Sequence, residues 1–374
     1  MKIGILTITD GANYGNRLQN YAMQELIESL GYEVETIRRL TYRDRTKTDE
    51  VKITIKDTIK RFIGKKNTEF SARKRKNRFN EFNKRYIKYS DFCISNNNAP
   101  SELNDYYDYF VCGSDQIWNA HFDVVKCDIK NHLAAFADST KRIAFAASFG
   151  TTDVAVGYKK VFEDELKKFK AIAVREDAGR KIVKDLTGRD DVAVVLDPTL
   201  LIDRDKWISI EKQPKYIKDE KYIVTYFLGG RSEKINLYIE NLSAKNGLKV
   251  INLDIEFLRD SQISNGDIFC TTPDEFVWLI HHAECVLTDS FHASVFSIIF
   301  EKPFLVFERI AAEKDNDMGS RIDTLLGKFR LNDCKDDIEN PTKVPLNHDY
   351  SEGYKQLEKE RKKAMFFLKK KLLE

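Results

Sequence analysis

The chain has 374 residues, 42% of them hydrophobic and 11% aromatic, and 62 Lys and Arg stand against 59 Asp and Glu for a formal net charge of +3. That length exceeds what one ordinary core holds, so two domains are expected. The near-neutral balance argues against a general nucleic-acid binder, and no apolar run approaches the roughly 18 residues that span a bilayer.

Strand and helix signals alternate, the pattern of a parallel α/β sheet. Lys2–Ile8 reads as a strand, not as a signal peptide, because it lacks a sufficient apolar region and a small-residue cleavage site. Leu18–Leu30 reads as a helix stopped by Gly31, and Glu33–Ile37 as a strand. A basic helical insertion near 50–90 follows, with helices over Val51–Ile63 and Phe70–Tyr89. Its charge reads as a solvated helical face, with contact to an anionic membrane surface or an acidic glycan carrier as the other reading. Strands are then predicted at Tyr109–Cys112, Arg142–Ala146, Ala171–Val174 and Val192–Leu196, with helices over Val161–Phe169 and Glu176–Leu186. This N-terminal Rossmann-like domain is assigned to 1–205.

A second Rossmann-like domain is assigned to 206–345, its series of elements starting once Pro214 and a charged run have interrupted the periodicity. Its strands are Tyr222–Phe227, Lys249–Leu253, Val286–Thr288 and Phe304–Phe307; its helices are Lys234–Ala244, Pro273–His282, Phe291–Phe300 and Ser320–Phe329. The remainder, 346–374, holds a basic amphipathic helix over Tyr354–Leu373, whose Met365, Phe366, Phe367 and Leu368 are expected to dock on the body. The six cysteines are scattered, with no Cys-x-x-Cys pair. They point to a reducing cytoplasm and to no structural zinc site. His281 and His282 are adjacent on a helix, point apart, and are read as structural or surface residues rather than metal ligands.

Ligands of open α/β sheets bind at the carboxyl ends of the strands, and the polar clusters fall there. The stretch Gly11-Ala12-Asn13-Tyr14-Gly15-Asn16 is a glycine-bearing strand-to-helix loop, read either as an anion cradle or as an ordinary βα turn. Gly113-Ser114-Asp115, followed by Trp118, offers polar groups and an aromatic face to a sugar, or else a capped helix start. Arg175 directly follows an apolar strand; it aims into the cleft or pairs with Glu176 or Asp177. Arg321 ends a glycine-containing loop that either closes on an anion or lies on the surface. Most informative is Cys285-Val-Leu-Thr-Asp-Ser-Phe-His292, a strand, a cap and a helix with an imidazole in its first turn. Free N–H groups and the positive dipole end sit beside a titratable ring there, unless His292 is a satisfied core histidine.

Taken in order, these clusters resemble the polysaccharide pyruvyl transferase family over about residues 3–330. The elements are Asn13-Tyr-Gly-Asn16 with Leu18-Gln19 and Tyr21-Ala22, Gly113-Ser-Asp-Gln116 with Trp118-Asn119, and Ala147-Ser-Phe-Gly150. Val174-Arg-Glu176, Asp197-Pro-Thr199 and Thr288-Asp-Ser-Phe-His-Ala293 complete the set. The resemblance implies two Rossmann-like domains facing a cleft, as in B-type glycosyltransferases. It also implies transfer of a pyruvyl group from phosphoenolpyruvate to two sugar hydroxyls as a cyclic ketal, with release of phosphate. Under it His292 is the general acid/base, and Arg175, Arg321, Ser290, Asp289 and Arg231 hold the donor. Asn13, Asn16, Ser114, Asp115, Trp118 and Ser148 line the acceptor side, and no metal or cofactor beyond the donor substrate is implied. The partners are a saccharide acceptor, free or lipid-linked, and phosphoenolpyruvate, in a cytoplasmic protein or one peripheral at the inner face of the membrane; nucleic acid is not among them. The family's Arg-Leu-His reads Ser290-Phe291-His292 here, so one cation is missing. A B-type glycosyltransferase using a nucleotide sugar, and a non-catalytic glycan-binding protein of the same fold, are the alternatives.

Overall fold

The computed structural model describes residues 1–9, 11–40, 68–254, 266–309, 319–345 and 347–373. Seven strands form one sheet: β1 (Lys2–Leu6), β2 (Glu33–Arg39), β3 (Tyr89–Ile94), β4 (Tyr109–Cys112), β5 (Arg142–Ala147), β6 (Ala171–Val174) and β7 (Ala193–Val194). Five form another: β8 (Tyr222–Tyr226), β9 (Lys249–Asn252), β10 (Cys285–Thr288), β11 (Phe304–Phe307) and β12 (Lys335–Asp336). The first has the order β3-β2-β1-β4-β5-β6-β7 and the second β12-β11-β10-β8-β9. Every neighbouring pair is parallel. The helices around them include α1 (Tyr14–Ser29), α2 (Thr68–Tyr86), α3 (Asp177–Thr187), α4 (Pro198–Leu201) and α5 (Arg204–Ile210), and farther on α6 (Glu233–Asn246), α7 (Pro273–His281), α8 (Phe291–Ile299), α9 (Ser320–Phe329) and α10 (Ser351–Leu373). The protein is thus α/β, with two Rossmann-like sheets.

Strand alternation explains the layers. Val111, Ile143, Phe145 and Ala173 project from one face of the first sheet, and Val224, Tyr226, Val286 and Val306 from one face of the second. All eight belong to a single core that runs between the sheets through α1, α4, α7 and α8. The alternate residues fill separate outer cores: Phe110, Cys112, Ala144 and Ile172 on the first sheet, and Ile223, Leu287, Leu305 and Phe307 on the second. A period of two with both faces apolar is what a sheet covered by helices on both sides requires.

Three expectations need revision. The insertion helix stops at Tyr86, and β3 begins at the Tyr89 that the sequence pattern left inside the helix. Edge pairing explains this, since the Thr36 N–H donates to the Lys88 carbonyl at 2.8 Å and draws the segment onto β2. The basic face of α2 is not wholly solvated either. Arg75 is 3% exposed and donates to the Tyr14 hydroxyl at 3.1 Å, the Ala12 carbonyl at 3.0 Å and the Phe269 carbonyl. Arg78 pairs with Glu275 at 2.6 Å, so α2 bridges to the second sheet's helices. The expected helix Val51–Ile63 lies outside the described residues. Finally, α10 docks as expected through Leu368, Met365 and Phe367, with Leu357, Ala364 and Leu372 added, but Phe366 faces solvent. Arg361 on α10 donates to the carbonyls of Leu200 and Ile202, each at 2.9 Å, and so ties the helix to the segment between the sheets. Among the described residues, no helix is long and apolar enough to cross a membrane.

Candidate active site

Both sheets begin with a central strand flanked on either side, β1 between β2 and β4 and β8 between β9 and β10. Ligand sites of such sheets lie where the strand order reverses, at the carboxyl ends. The exits of β1, β4, β5, β6 and β7 carry Asn16, Asp115, Ser148, Arg175 and Asp197. The exits of β10 and β11 carry His292 and Arg309.

Asp197 is the meeting point. It is 1% exposed, and it caps α4 through Oδ1, which accepts from the Thr199 N–H at 3.0 Å and the Thr199 hydroxyl at 2.7 Å. Its Oδ2 accepts from Arg175 Nη1 at 2.7 Å and from the Ser114 hydroxyl at 2.9 Å. His292 Nε2 lies 3.7 Å from the same oxygen, a charge contact longer than a hydrogen bond. Burial alone would raise the Asp197 carboxyl, but His292, Arg175 and the Thr199 hydroxyl outweigh it and hold the group well below the usual carboxylate range. His292 reaches across from α8 because Gly15 on α1 has no side chain; a Cβ there would collide with the imidazole.

Phe291 carries the second feature. The Arg175 guanidinium lies 4.5 Å and the Arg321 guanidinium 5.9 Å from its ring centroid. An aromatic face accommodates such cations. Arg175 is neutralised by Asp197 and, at 3.5 Å, by Asp115. Arg321 is 5% exposed, and its Nε has no hydrogen-bond partner among the described residues. With the Gln116 amide turned so that its oxygen faces the guanidinium, that oxygen accepts from Nη1 at 3.0 Å and Nη2 at 3.3 Å. Burial first, then the charges of Arg175 and Arg309, push Arg321 down to about 9, against the pull of Asp115 and Glu176. It still stays charged at neutral pH. This under-neutralised buried cation is where an anion would be most strongly attracted.

The residues expected on the acceptor side take other positions. Asn16 donates to Asp115, Ser114 to Asp197, and Ser148 to Glu176 at 3.0 Å. These groups form the buried support of Arg175 instead of lining a separate subsite, because buried polar groups must find partners. Asn13 caps α1, its side-chain oxygen accepting from the Asn16 N–H at 3.2 Å. Trp118 is 1% exposed, packs on Phe149 and Phe169, and donates to the His132 carbonyl at 3.3 Å. It has no face left for a sugar.

The expected donor residues also divide. Arg175, Arg321 and His292 come together. Asp289 instead braces a loop, its oxygens accepting from the Leu228 and Gly229 N–H groups at 2.7 Å each, with Arg309 Nε at 3.4 Å. Ser290 caps α8 through Ala293 N–H. Arg231 is committed to Asp254 at 2.8 Å. Glu176, Gln116 and Arg309 escaped the sequence reading's roster, as did Asp197. Three of the four sit inside the motifs quoted above, and Arg309 follows an apolar strand just as Arg175 does. Burial pushes the Glu176 carboxyl up, resisted by Arg175, Arg321 and the Ser148 hydroxyl.

Among solved structures, the chain is similar to the UDP-GlcNAc 2-epimerase of Neisseria meningitidis, with a TM-score of 0.45 and 11% identity over 89% of this chain and 93% of that one. The Methanocaldococcus jannaschii UDP-GlcNAc 2-epimerase gives 0.44 and 12% over 96% and 99%. An uncharacterized protein of Klebsiella pneumoniae gives 0.36 and 13% over 66% and 80%. No curated protein matches the chain. The family model described as polysaccharide pyruvyl transferase matches residues 13–309, a span that takes in the exits of β4 to β7 and His292, and the chain therefore belongs to that family of transferases.

Proposed function

We propose that this transferase moves a pyruvyl group from phosphoenolpyruvate onto two hydroxyls of a saccharide bound for a cell-surface polymer. The observation that carries the reading is the pair of buried guanidiniums, Arg175 and Arg321, stacked about Phe291 with His292 at the same carboxylate. The donor is a small dianion or trianion with a carboxylate and a phosphate, and Arg321 is the cation with charge to spare. It stands in for the arginine that Ser290 replaces.

The chemistry is balanced without a cofactor. Protonating the methylene carbon of the donor makes the neighbouring carbon electrophilic. One sugar hydroxyl adds there, phosphate departs, and the second hydroxyl closes the ketal. Of the two hydroxyl protons, one ends on the new methyl group and the other on phosphate. His292 moves them as general acid and base, with Asp197 orienting its ring. Its Nε2 is buried and makes no hydrogen bond among the described residues, so its proton has no fixed acceptor there.

The test uses purified protein, phosphoenolpyruvate and a panel of free and lipid-linked glycosides. Phosphate release that depends on an acceptor, with a product heavier by one pyruvyl ketal, is the expected result. Calorimetry that detects no phosphoenolpyruvate binding, together with no release from any acceptor, would sink the reading.

A further inference from the structure

At the amino end of the second sheet, away from the cluster just described, His281 closes α7 and His282 follows as its C-cap with φ −101° and ψ 4°. Neighbours within a helix diverge by about 100°. Because α7 ends here, both imidazoles instead turn to one carboxylate. His281 Nδ1 lies 2.8 Å from Glu211 Oε2, and His282 Nε2 lies 3.5 Å from Glu211 Oε1. Each ring is fixed by stacking, His281 on Phe300 at 4.3 Å and His282 on Trp278 at 4.4 Å. The ligand atoms of all three residues fall within 4.8 Å of one another.

A tetrahedral ion with bonds of about 2.0–2.1 Å places its ligand atoms about 3.3 Å apart. The 2.8 Å and 3.5 Å separations run to the two different oxygens of Glu211, so a carboxylate binding through one oxygen reaches that spacing by a small turn. Two imidazoles and a carboxylate suit borderline divalent cations, with a fourth position for water.

We propose that Glu211, His281 and His282 bind a divalent first-row cation of the Zn2+ type. Glu211 lies in the segment between the sheets, where the Lys212 N–H also donates to the Asp274 carbonyl at 3.2 Å. The ion would clip that segment to α7 from outside the reaction centre, as a structural clamp.

Untagged full-length protein, stripped with chelator, is titrated with Zn2+ by calorimetry and with Co2+ by visible absorption, beside His282→Asn and Glu211→Gln. The His282 side chain is 44% exposed, so its replacement leaves the fold intact, as circular dichroism would verify. One ion per chain, a higher Tm with Zn2+, and binding at least about tenfold weaker in both variants are expected. Absence of binding, binding unchanged in the variants, or a thiolate-to-cobalt band that puts the ion on a cysteine such as the exposed Cys127 would each overturn the proposal.

Discussion

The two lobes contribute unlike things to the cluster at Asp197. From the first come carboxylates whose oxygens are occupied: Asp197 by Thr199, Ser114 and Arg175, and Asp115 by Asn16 and the Gln116 N–H. From the second come an imidazole and a guanidinium, His292 and Arg321, whose Nε2 and Nε lack hydrogen-bond partners among the described residues, as do Arg175 Nε and Nη2 and Glu176 Oε2 in the first. Saturation fixes geometry and leaves little to react; spare valence is costly in a buried place and signals a missing partner. The first lobe thus supplies the carboxylates that neutralise Arg175, and the second the imidazole and the less neutralised guanidinium.

Breaking the second lobe's share should have the largest effect. His292→Ala and Arg321→Ala are each expected to lower turnover by about 10²–10⁴-fold in phosphate-release assays while the protein stays folded. Full activity in either variant would remove the contrast. Breaking the first lobe's share should instead appear as lost stability. Asp197→Asn removes the charge that neutralises Arg175 and is expected to cost about 3–5 kcal/mol at pH 7 by urea unfolding. The sign of its pH dependence follows from the depressed carboxyl. The Asp197 contribution is complete above the ordinary aspartate value, about 3.9, and fades as pH falls below it. Wild type and variant should therefore converge on acidification; a constant gap would show that charge is not the cause.

Gly15→Ala probes where the lobes touch. Its methyl would strike His292, and a loss of about 1–3 kcal/mol is expected, with kcat falling more than affinity for phosphoenolpyruvate. The smallest effects contrast two sides of α10. Leu368→Ala should cost about 2–5 kcal/mol, whereas Phe366→Ser at the solvent face should stay within about 0.5 kcal/mol.

Legibility in the sequence followed burial. Strands covered on both faces, such as Ala171–Val174 and Phe304–Phe307, were readable to the residue, because a short apolar run between polar turns has few other interpretations. β3 and β12 were not, since an edge strand owes its conformation to a neighbour and β12 is only two residues long. The sequence places Arg175 and His292 at strand exits, and the structure has both there, around Asp197. Trp118 misled because an aromatic beside polar residues looks the same whether its ring meets a sugar or Phe149. His281 and His282, read as pointing apart, both turn to Glu211 because the helix ends at His281. The pairing of Arg321 with Phe291 joins residues thirty positions apart, and no local spacing encodes it.

The tie between Arg361 and the carbonyls of Leu200 and Ile202 limits how substrates get in. Swinging the lobes wide would strip those carbonyls of their donor and wet the apolar layer shared by both sheets, which resists jaw-like opening. Under the proposed reaction, substrates would therefore reach Arg321 and His292 most cheaply by small displacements at the strand exits, in a nearly rigid frame with a local doorway.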